Sequence, residues 1–99
     1  MSDTDAVLFA NEAFYRGFAD RDEDAMDTLW SDTDQVACLH PGWGPLFGRE
    51  EVVDSWKAII RNPDSPEILC HDPHAHVYGD TAYVICFEEI GGSFLVATN

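Results

Sequence analysis

Glu88 is a carboxylate within a largely apolar segment, where an acid could transfer protons. The segment Thr81–Ile90 alternates as a β-strand does, which puts Glu88 on one sheet face with Val84 and Cys86. If that face lines a pocket, the partly desolvated carboxyl group suits general acid–base chemistry. Alternatively, Glu88 marks the point where the strand emerges towards a turn. We expect its neighbour Glu89 to be solvated.

Four histidines invite a metal-site interpretation, and three of them lie between residues 71 and 76. His74 and His76 share a strand face, as metal ligands can. However, Pro73 bends this stretch, and a metal site needs ligands that converge with correct geometry. We therefore expect no metal and no cofactor. The strand register instead puts these histidines on an outer sheet face, for which we predict a dimer interface of His74, His76, Tyr83, Ile85, Phe87 and Phe94.

An acidic turn begins like a calcium-binding loop but does not continue as one. Asp20, Asp22 and Asp24 have the initial spacing of such a loop. Ala25 then stands where glycine is required, and Ser31 where a bidentate glutamate should be. We interpret the segment as a solvated turn. The sequence also lacks a Gly-rich phosphate loop and a GxSxG nucleophile elbow.

The composition fits one small globular domain over residues 1–99. With 45% hydrophobic residues the chain can bury a single core, but its length is too short for two. It has 19 acidic and 5 basic residues, a net charge of −14. Nucleic acid and anionic membrane surfaces are disfavoured as partners, because both require clustered Lys and Arg.

The location that the sequence favours is the cytoplasm. No apolar run approaches the roughly 20 residues of a membrane helix, and residues 1–5 do not resemble the start of a signal peptide. The three cysteines are an odd number without CxxC spacing, which favours reduced, buried thiols. They are Cys38, Cys70 and Cys86.

Hydrophobic periodicity predicts three helices and one strand in the first two thirds of the chain, with the strand between the second and third helices. The helices cover residues 4–19, a short stretch from Asp22 to about Trp30, and Glu50–Arg61. A strand is predicted over Gln35–His40, and Pro41 ends it. The Gly- and Pro-rich stretch that follows is predicted to be a loop. Its Trp43 either forms a pocket rim or packs within the loop.

The last third predicts an antiparallel meander of three strands. They cover Glu67–Tyr78, Thr81–Ile90 and Ser93–Asn99, with turns at Gly79–Asp80 and Gly91–Gly92. Two-residue turns fix the register. The predicted pairs are Val77 with Ala82, His76 with Tyr83, Glu88 with Leu95, and Cys86 with Ala97. Both sheet faces are largely apolar, which indicates helices on one side and a partner subunit on the other.

The order of these elements and several short motifs resemble the nuclear transport factor 2-like superfamily, in its SnoaL-like branch. The motifs are FYRGFADRD at 14–22, AMDTLW at 25–30, VACLHPGWGP at 36–45, GREEV at 48–52 and HVYGDTAYV at 76–84. The resemblance implies an α+β fold: a cone-shaped, curved antiparallel sheet wrapped around about three N-terminal helices (a cystatin-like roll) with an apolar pocket. Members commonly dimerise through the outer sheet face. They usually continue beyond the strand that ends at Asn99, so we expect the closing strands to be missing.

The ketosteroid isomerase branch of this superfamily suggests three site residues. By resemblance, His40 stands where that branch has a proton-shuttling carboxylate before a proline. Tyr15 and Asn99 stand where it has groups that hold an oxyanion. Because the base and the acid are both changed, steroid isomerisation itself is not expected. The alternatives are a hydrogen-bonded His40 that terminates a strand, and a Tyr15 that belongs to the core.

We predict a protein with a pocket for a small apolar or mixed-polarity molecule, acting as a homodimer. Its predicted catalytic residues are His40, Tyr15 and Glu88, for a cofactor-free isomerase, cyclase or dehydratase reaction. The alternatives are a non-catalytic binding or regulatory module with a filled pocket, and a fragment or partner-dependent assembly piece. The predicted pocket lining consists of Phe14, Phe18, Trp30, Cys38, Trp43, Trp56, Val84, Cys86, Ala97 and Asn99.

Overall fold

Three helices and two antiparallel sheets make up the computed structural model, which describes residues 2–99. The sheets have two and three strands, in the orders β1-β2 and β3-β4-β5. This confirms the predicted α+β class. The elements are α1 (Asp3–Ala19), α2 (Glu23–Leu29), β1 (Ala37–Cys38), β2 (Leu46–Phe47), α3 (Arg49–Arg61), β3 (Ile68–Tyr78), β4 (Thr81–Ile90) and β5 (Ser93–Thr98).

The chain divides into two compact units. The helix–sheet unit contains residues 2–20 and Pro66–Asn99, that is α1 and the three-stranded sheet. The helical unit contains Arg21–Ser65, that is α2, α3 and the two-stranded sheet. No helix of residues 2–99 has the length and apolar character that crossing a membrane requires.

The register of the three-stranded sheet confirms the prediction from the turns. Val77 pairs with Ala82 and His76 with Tyr83. Glu88 pairs with Leu95 and Cys86 with Ala97. Gly91 and Gly92 both have positive φ, at 58° and 85°, which is the backbone that a tight two-residue hairpin of this kind needs and which glycine adopts without strain.

The predicted bend at Pro73 is a register irregularity between His71 and His74. Asp72 has a φ of 52° there, a left-handed conformation that Asp tolerates better than most residues. Proline cannot donate to a ladder, so the chain leaves the regular pairing at this point and then resumes it. The bend keeps Cys70 and Ala75 both half-buried although they are five positions apart, an odd step that would otherwise put them on opposite faces.

Helix α1 packs against β3 and β4 within the helix–sheet unit. It begins at the N-cap Ser2, whose hydroxyl accepts from the Asp5 amide at 3.1 Å. Its buried side turns polar and aromatic residues inwards at steps of three and four. These are Asn11, Tyr15 and Phe18.

Helices α2 and α3 pack together in the helical unit. Asp22 caps α2, and its carboxylate accepts from the Ala25 amide at 3.2 Å. At the other end of α2, the Arg49 guanidinium donates to the carbonyls of Asp27 and Trp30 at 2.8 and 2.7 Å. Arg49 thereby joins the start of α3 to carbonyl groups that the end of a helix leaves without intrahelical partners.

The predicted strand Gln35–His40 is wrong in length, and the predicted loop is wrong in part. Only Ala37–Cys38 forms strand, and it pairs with Leu46–Phe47 inside the supposed loop. The chain reverses between Cys38 and Leu46, so the short strand finds its partner within the Gly- and Pro-rich stretch.

Candidate functional site

Tyr15 and Glu88 are joined by a short hydrogen bond in the helix–sheet unit. The Tyr15 hydroxyl donates to Glu88 Oε2 at 2.5 Å. Tyr15 is only 7% exposed, whereas Glu88 is half-buried. Helix α1 supplies the tyrosine and β4 supplies the carboxylate, because both side chains project into the layer between that helix and the sheet.

Two asparagines extend this hydrogen bond into a network. Asn99 Nδ2 donates to the Tyr15 hydroxyl oxygen and to Asn11 Oδ1, at 2.9 Å each. The backbone of Asn99 is fixed by two hydrogen bonds of 2.8 Å with Val84. We call Asn11, Tyr15, Cys86, Glu88 and Asn99 the Tyr15 cluster. Two of its hydrogen bonds form a chain: Asn99 donates to the Tyr15 hydroxyl, and the Tyr15 hydroxyl donates to the Glu88 carboxylate.

Burial raises the pKa of Tyr15 well above its usual range, and hydrogen bonds to Cys86 and Glu88 act in the same direction. The Tyr15 hydroxyl therefore keeps its proton. The pKa of Cys70 is raised to about 11, first by burial and then by a hydrogen bond with Cys86. A thiol with so high a pKa carries little thiolate at neutral pH, so Cys70 is a poor nucleophile.

The structure brings together three residues that the sequence had linked. Tyr15, Glu88 and Asn99 meet in one network, and Asn99 lies on the sheet face of Val84 and Cys86 as the register predicts. In the geometry observed, the Tyr15 proton is directed to Glu88. The catalytic roles of these residues stay predictions.

His40 lies in the helical unit, buried to 7% exposure between two tryptophans. Its ring centroid is 4.8 Å from that of Trp43 and 4.6 Å from that of Trp56. His40 Nε2 lies 2.9 Å from Ser55 Oγ and 3.8 Å from Cys38 Sγ. Burial lowers the pKa of His40, so its ring is neutral at neutral pH.

The other predicted lining residues are distributed over both units. In the helix–sheet unit, Phe14 contacts Tyr15 edge to face at 5.2 Å, Phe18 is buried and Ala97 is half-buried. In the helical unit, Trp30 stacks on Trp56 at 6.4 Å. The pKa of Cys38 is raised by burial and lowered in part by a hydrogen bond with Trp56.

An open depression of about 360 Å³ lies at the start of α3, and none of the predicted catalytic residues lines it. Its lining is Asp34, residues 47–51 and Asp54.

The outer face of the three-stranded sheet carries the remaining histidines beside exposed apolar side chains. His71 contacts Glu89 at 2.8 Å, His74 contacts Asp72 at 3.1 Å, and His76 stacks on Tyr83 at 4.9 Å. Within residues 2–99, no three His, Cys, Asp or Glu side chains are grouped so that they could hold a metal ion. The exposed apolar side chains of this face include Leu69, Ile85, Phe87, Phe94 and Val96.

Two polar side chains that form hydrogen bonds in these sites were not predicted from the sequence. Asn11 lies four residues before Tyr15, on the apolar stripe of α1. Ser55 lies three residues after Val52, on the apolar stripe of α3. A polar residue on a stripe that faces the core must find a buried hydrogen-bond partner, and that was the available signal.

Several known proteins are similar to this chain. A proposed dehydratase of the NTF2-like family from Streptomyces avermitilis is 36% identical, with a TM-score of 0.82 over 98% of this chain and 82% of that one. A proposed calcium/calmodulin-dependent protein kinase type II association domain from Thiobacillus denitrificans is 30% identical, with a TM-score of 0.78 over 91% of this chain and 77% of that one. The S. rosetta CaMKII hub, at 23% identity and a TM-score of 0.72 over 99% of this chain and 78% of that one, shares the fold.

A curated relative is much longer than this chain. The F-box protein SKIP8 of Arabidopsis thaliana is 31% identical over 97 residues, which cover 94% of this chain and 42% of that protein. The family model of the SnoaL-like domain matches residues 7–98. The match confirms the resemblance seen in the sequence: the chain belongs to the SnoaL-like family and has the NTF2-like fold.

Proposed function

We propose that this chain binds a small carbonyl compound and transfers a proton at the Tyr15 cluster without a cofactor. The hydrogen bond from Tyr15 to Glu88 Oε2 carries the proposal. It orients the carboxylate and leaves Oε1, which has no hydrogen-bond partner within residues 2–99, to accept a proton from a ligand. His40, neutral at neutral pH, is a second candidate base.

The chemistry that suits this arrangement is proton abstraction next to a carbonyl group. The C–H bond breaks, its electron pair moves into the enolate, and the proton comes to Glu88 Oε1. Return of the proton to another carbon is isomerisation, and loss of a neighbouring hydroxyl group as water is dehydration. The similarity to a proposed dehydratase supports this class of reaction.

The test is exchange of the carbon-bound protons of 2-tetralone and cyclohexanone in D₂O, followed by ¹H NMR. We expect the wild-type protein to accelerate the loss of the signal of the protons next to the carbonyl. Glu88→Gln should lower the rate by about 10²-fold or more, as loss of a general base does. Glu89→Gln is the matched control, because Glu89 lies on the opposite face of the same strand.

Two results would contradict the proton-transfer proposal. One is equal exchange by wild type and Glu88→Gln. The other is no acceleration of either ketone by the wild-type protein. Either result would favour the second candidate function.

The second candidate is a non-catalytic module that assembles through its sheet. The exposed outer face favours it, since Phe87 is 45% exposed, Phe94 61% and Val96 72%. Similarity to a proposed kinase association domain points the same way. In either case we propose a homodimer through this face, and a cytoplasmic location that suits three free cysteines.

A further inference from the structure

His40 and Ser55 form a pair in which the position of each proton can be worked out. Ser55 Oγ lies 2.7 Å from the backbone carbonyl oxygen of Val52. Two oxygens at that distance need a proton between them, and the carbonyl has none to give. The single hydroxyl proton of Ser55 is therefore donated to Val52, and Oγ can only accept from His40.

The tautomer of the neutral imidazole follows from this. Because Ser55 Oγ accepts, His40 Nε2 carries the proton across the 2.9 Å separation. Cys38 Sγ lies 3.8 Å from Nε2, on the same side of the ring. Nδ1 is then the ring nitrogen that carries no proton and can accept a hydrogen bond.

Nδ1 makes no hydrogen bond with any residue from 2 to 99, and it is not among the fully enclosed polar atoms without a partner. The ring of Trp43, 52% exposed, lies against the same imidazole at 4.8 Å. A bare acceptor beside exposed aromatic surface suits a planar ligand with a hydroxyl donor, such as a phenol or an enol.

We infer that Ser55 is a positioning residue that fixes the Nε2–H tautomer of His40, so that Nδ1 is the atom that accepts the hydroxyl proton or hydrogen bond of a planar ligand. The inference rests on the proposed role of His40 as a base. It adds the atom that acts and the residue that selects it.

The first experiment determines the tautomer in the ligand-free protein by two-bond ¹H–¹⁵N NMR at pH 7.5, with His40→Asn to assign the signals. In the wild type we expect a protonated Nε2 and an unprotonated Nδ1. Ser55→Ala should raise the fraction of the Nδ1–H form, and Ser55→Thr, which keeps the hydroxyl group, should restore the wild-type pattern. A wild-type protein with protonated Nδ1, or an unchanged tautomer in Ser55→Ala, overturns the assignment.

The second experiment adds 2-naphthol, with 2-methoxynaphthalene as the control without a donor proton. We expect 2-naphthol alone to shift the His40 Nδ1 resonance towards the protonated position, with an equal shift in Ser55→Thr and a smaller one in Ser55→Ala. No shift in the wild type overturns the ligand part of the inference. The carbon-acid exchange at Glu88 is measured separately, so its failure is distinguishable from either result here.

Discussion

At the scale of residues, several polar side chains form hydrogen bonds in which the donor and the acceptor are both defined. Tyr15 accepts from Asn99 and donates to Glu88, and His40 donates to Ser55. A buried polar group that loses its partner costs free energy, so these side chains also contribute to stability.

Tyr15→Phe removes one hydroxyl group and leaves its two hydrogen-bond partners unsatisfied. Glu88 Oε2 loses its donor, and one N–H of Asn99 loses its acceptor. We expect the free energy of unfolding to fall by about 1–3 kcal/mol in urea denaturation, with an unchanged m-value. Tyr78→Phe is the control: Tyr78 is 67% exposed, and its change should stay within about 0.5 kcal/mol. Equal effects of the two substitutions would contradict the buried network.

His40 should make the stability of the protein depend on pH. Burial lowers the pKa of His40 in the folded state, while the unfolded chain binds a proton near pH 6.5. Between these two values the unfolded state holds more protons, so stability is lost as the pH falls from about 6.5 towards the folded pKa. Urea unfolding from pH 7.5 to 5 should show wild type losing more stability than His40→Asn. Parallel curves for the two proteins would contradict this.

At the scale of elements, local sequence signals set the hairpins and the helix ends. Ser2 and Asp22 cap their helices through side-chain oxygens. The turn Gly91–Gly92 fixes the register that puts Glu88 on the α1 side of the sheet and Glu89 on the outer side. A slip of one residue would exchange these two faces, so the turn also positions the candidate site.

The Gly91–Gly92 turn offers a test of this coupling. Gly91 has a φ of 58°, where a β-branched residue is strained and asparagine is tolerated. We expect Gly91→Val to lower the free energy of unfolding by about 1–2 kcal/mol and Gly91→Asn to change it by a few tenths. Chemical denaturation checks both variants. Similar losses for valine and asparagine would show that the left-handed backbone is not what the turn requires.

At the scale of the whole molecule, the net charge and the outer sheet face have opposite effects on dimerisation: the charge opposes it and the exposed apolar side chains favour it. The chain carries a charge of −14, so two copies repel each other. The basic side chains of Arg16, Arg49, Lys57 and Arg61 are each engaged in ion pairs with carboxylates. Each of these four positive charges is therefore offset by a neighbouring carboxylate.

The proposed dimer can be tested by its dependence on Phe87 and on salt. Phe87→Lys puts a charge in the centre of the outer face, so we expect a dimer for wild type and a monomer for the variant in sedimentation equilibrium. Phe9→Lys is the control, because Phe9 is 68% exposed but lies on α1. Added salt screens the repulsion between acidic copies and should strengthen the wild-type dimer. A wild-type monomer at all salt concentrations would contradict the interface.

Much of the fold could be predicted because its signals are local. Steps of three and four predicted α1 and α3, and an apolar run between two glycine-containing turns predicted β4 with its observed bounds. The strand at Gln35–His40 was predicted too long because its partner, Leu46–Phe47, lies in a stretch whose glycines and prolines indicate a loop. Apolar content alone does not tell a two-residue strand from a loop.

The candidate site, like the fold, has a part that local sequence patterns predict and a part that they do not. Backbone periodicity predicted that Glu88 shares a sheet face with Val84 and Cys86, because side-chain direction follows from backbone period. Two hydrogen bonds could be found only in the folded chain: Asn99 donates to Asn11 across 88 residues, and Ser55 accepts from His40. Hydrogen bonds depend on distance and angle between atoms far apart in the chain, and no local pattern carries that information.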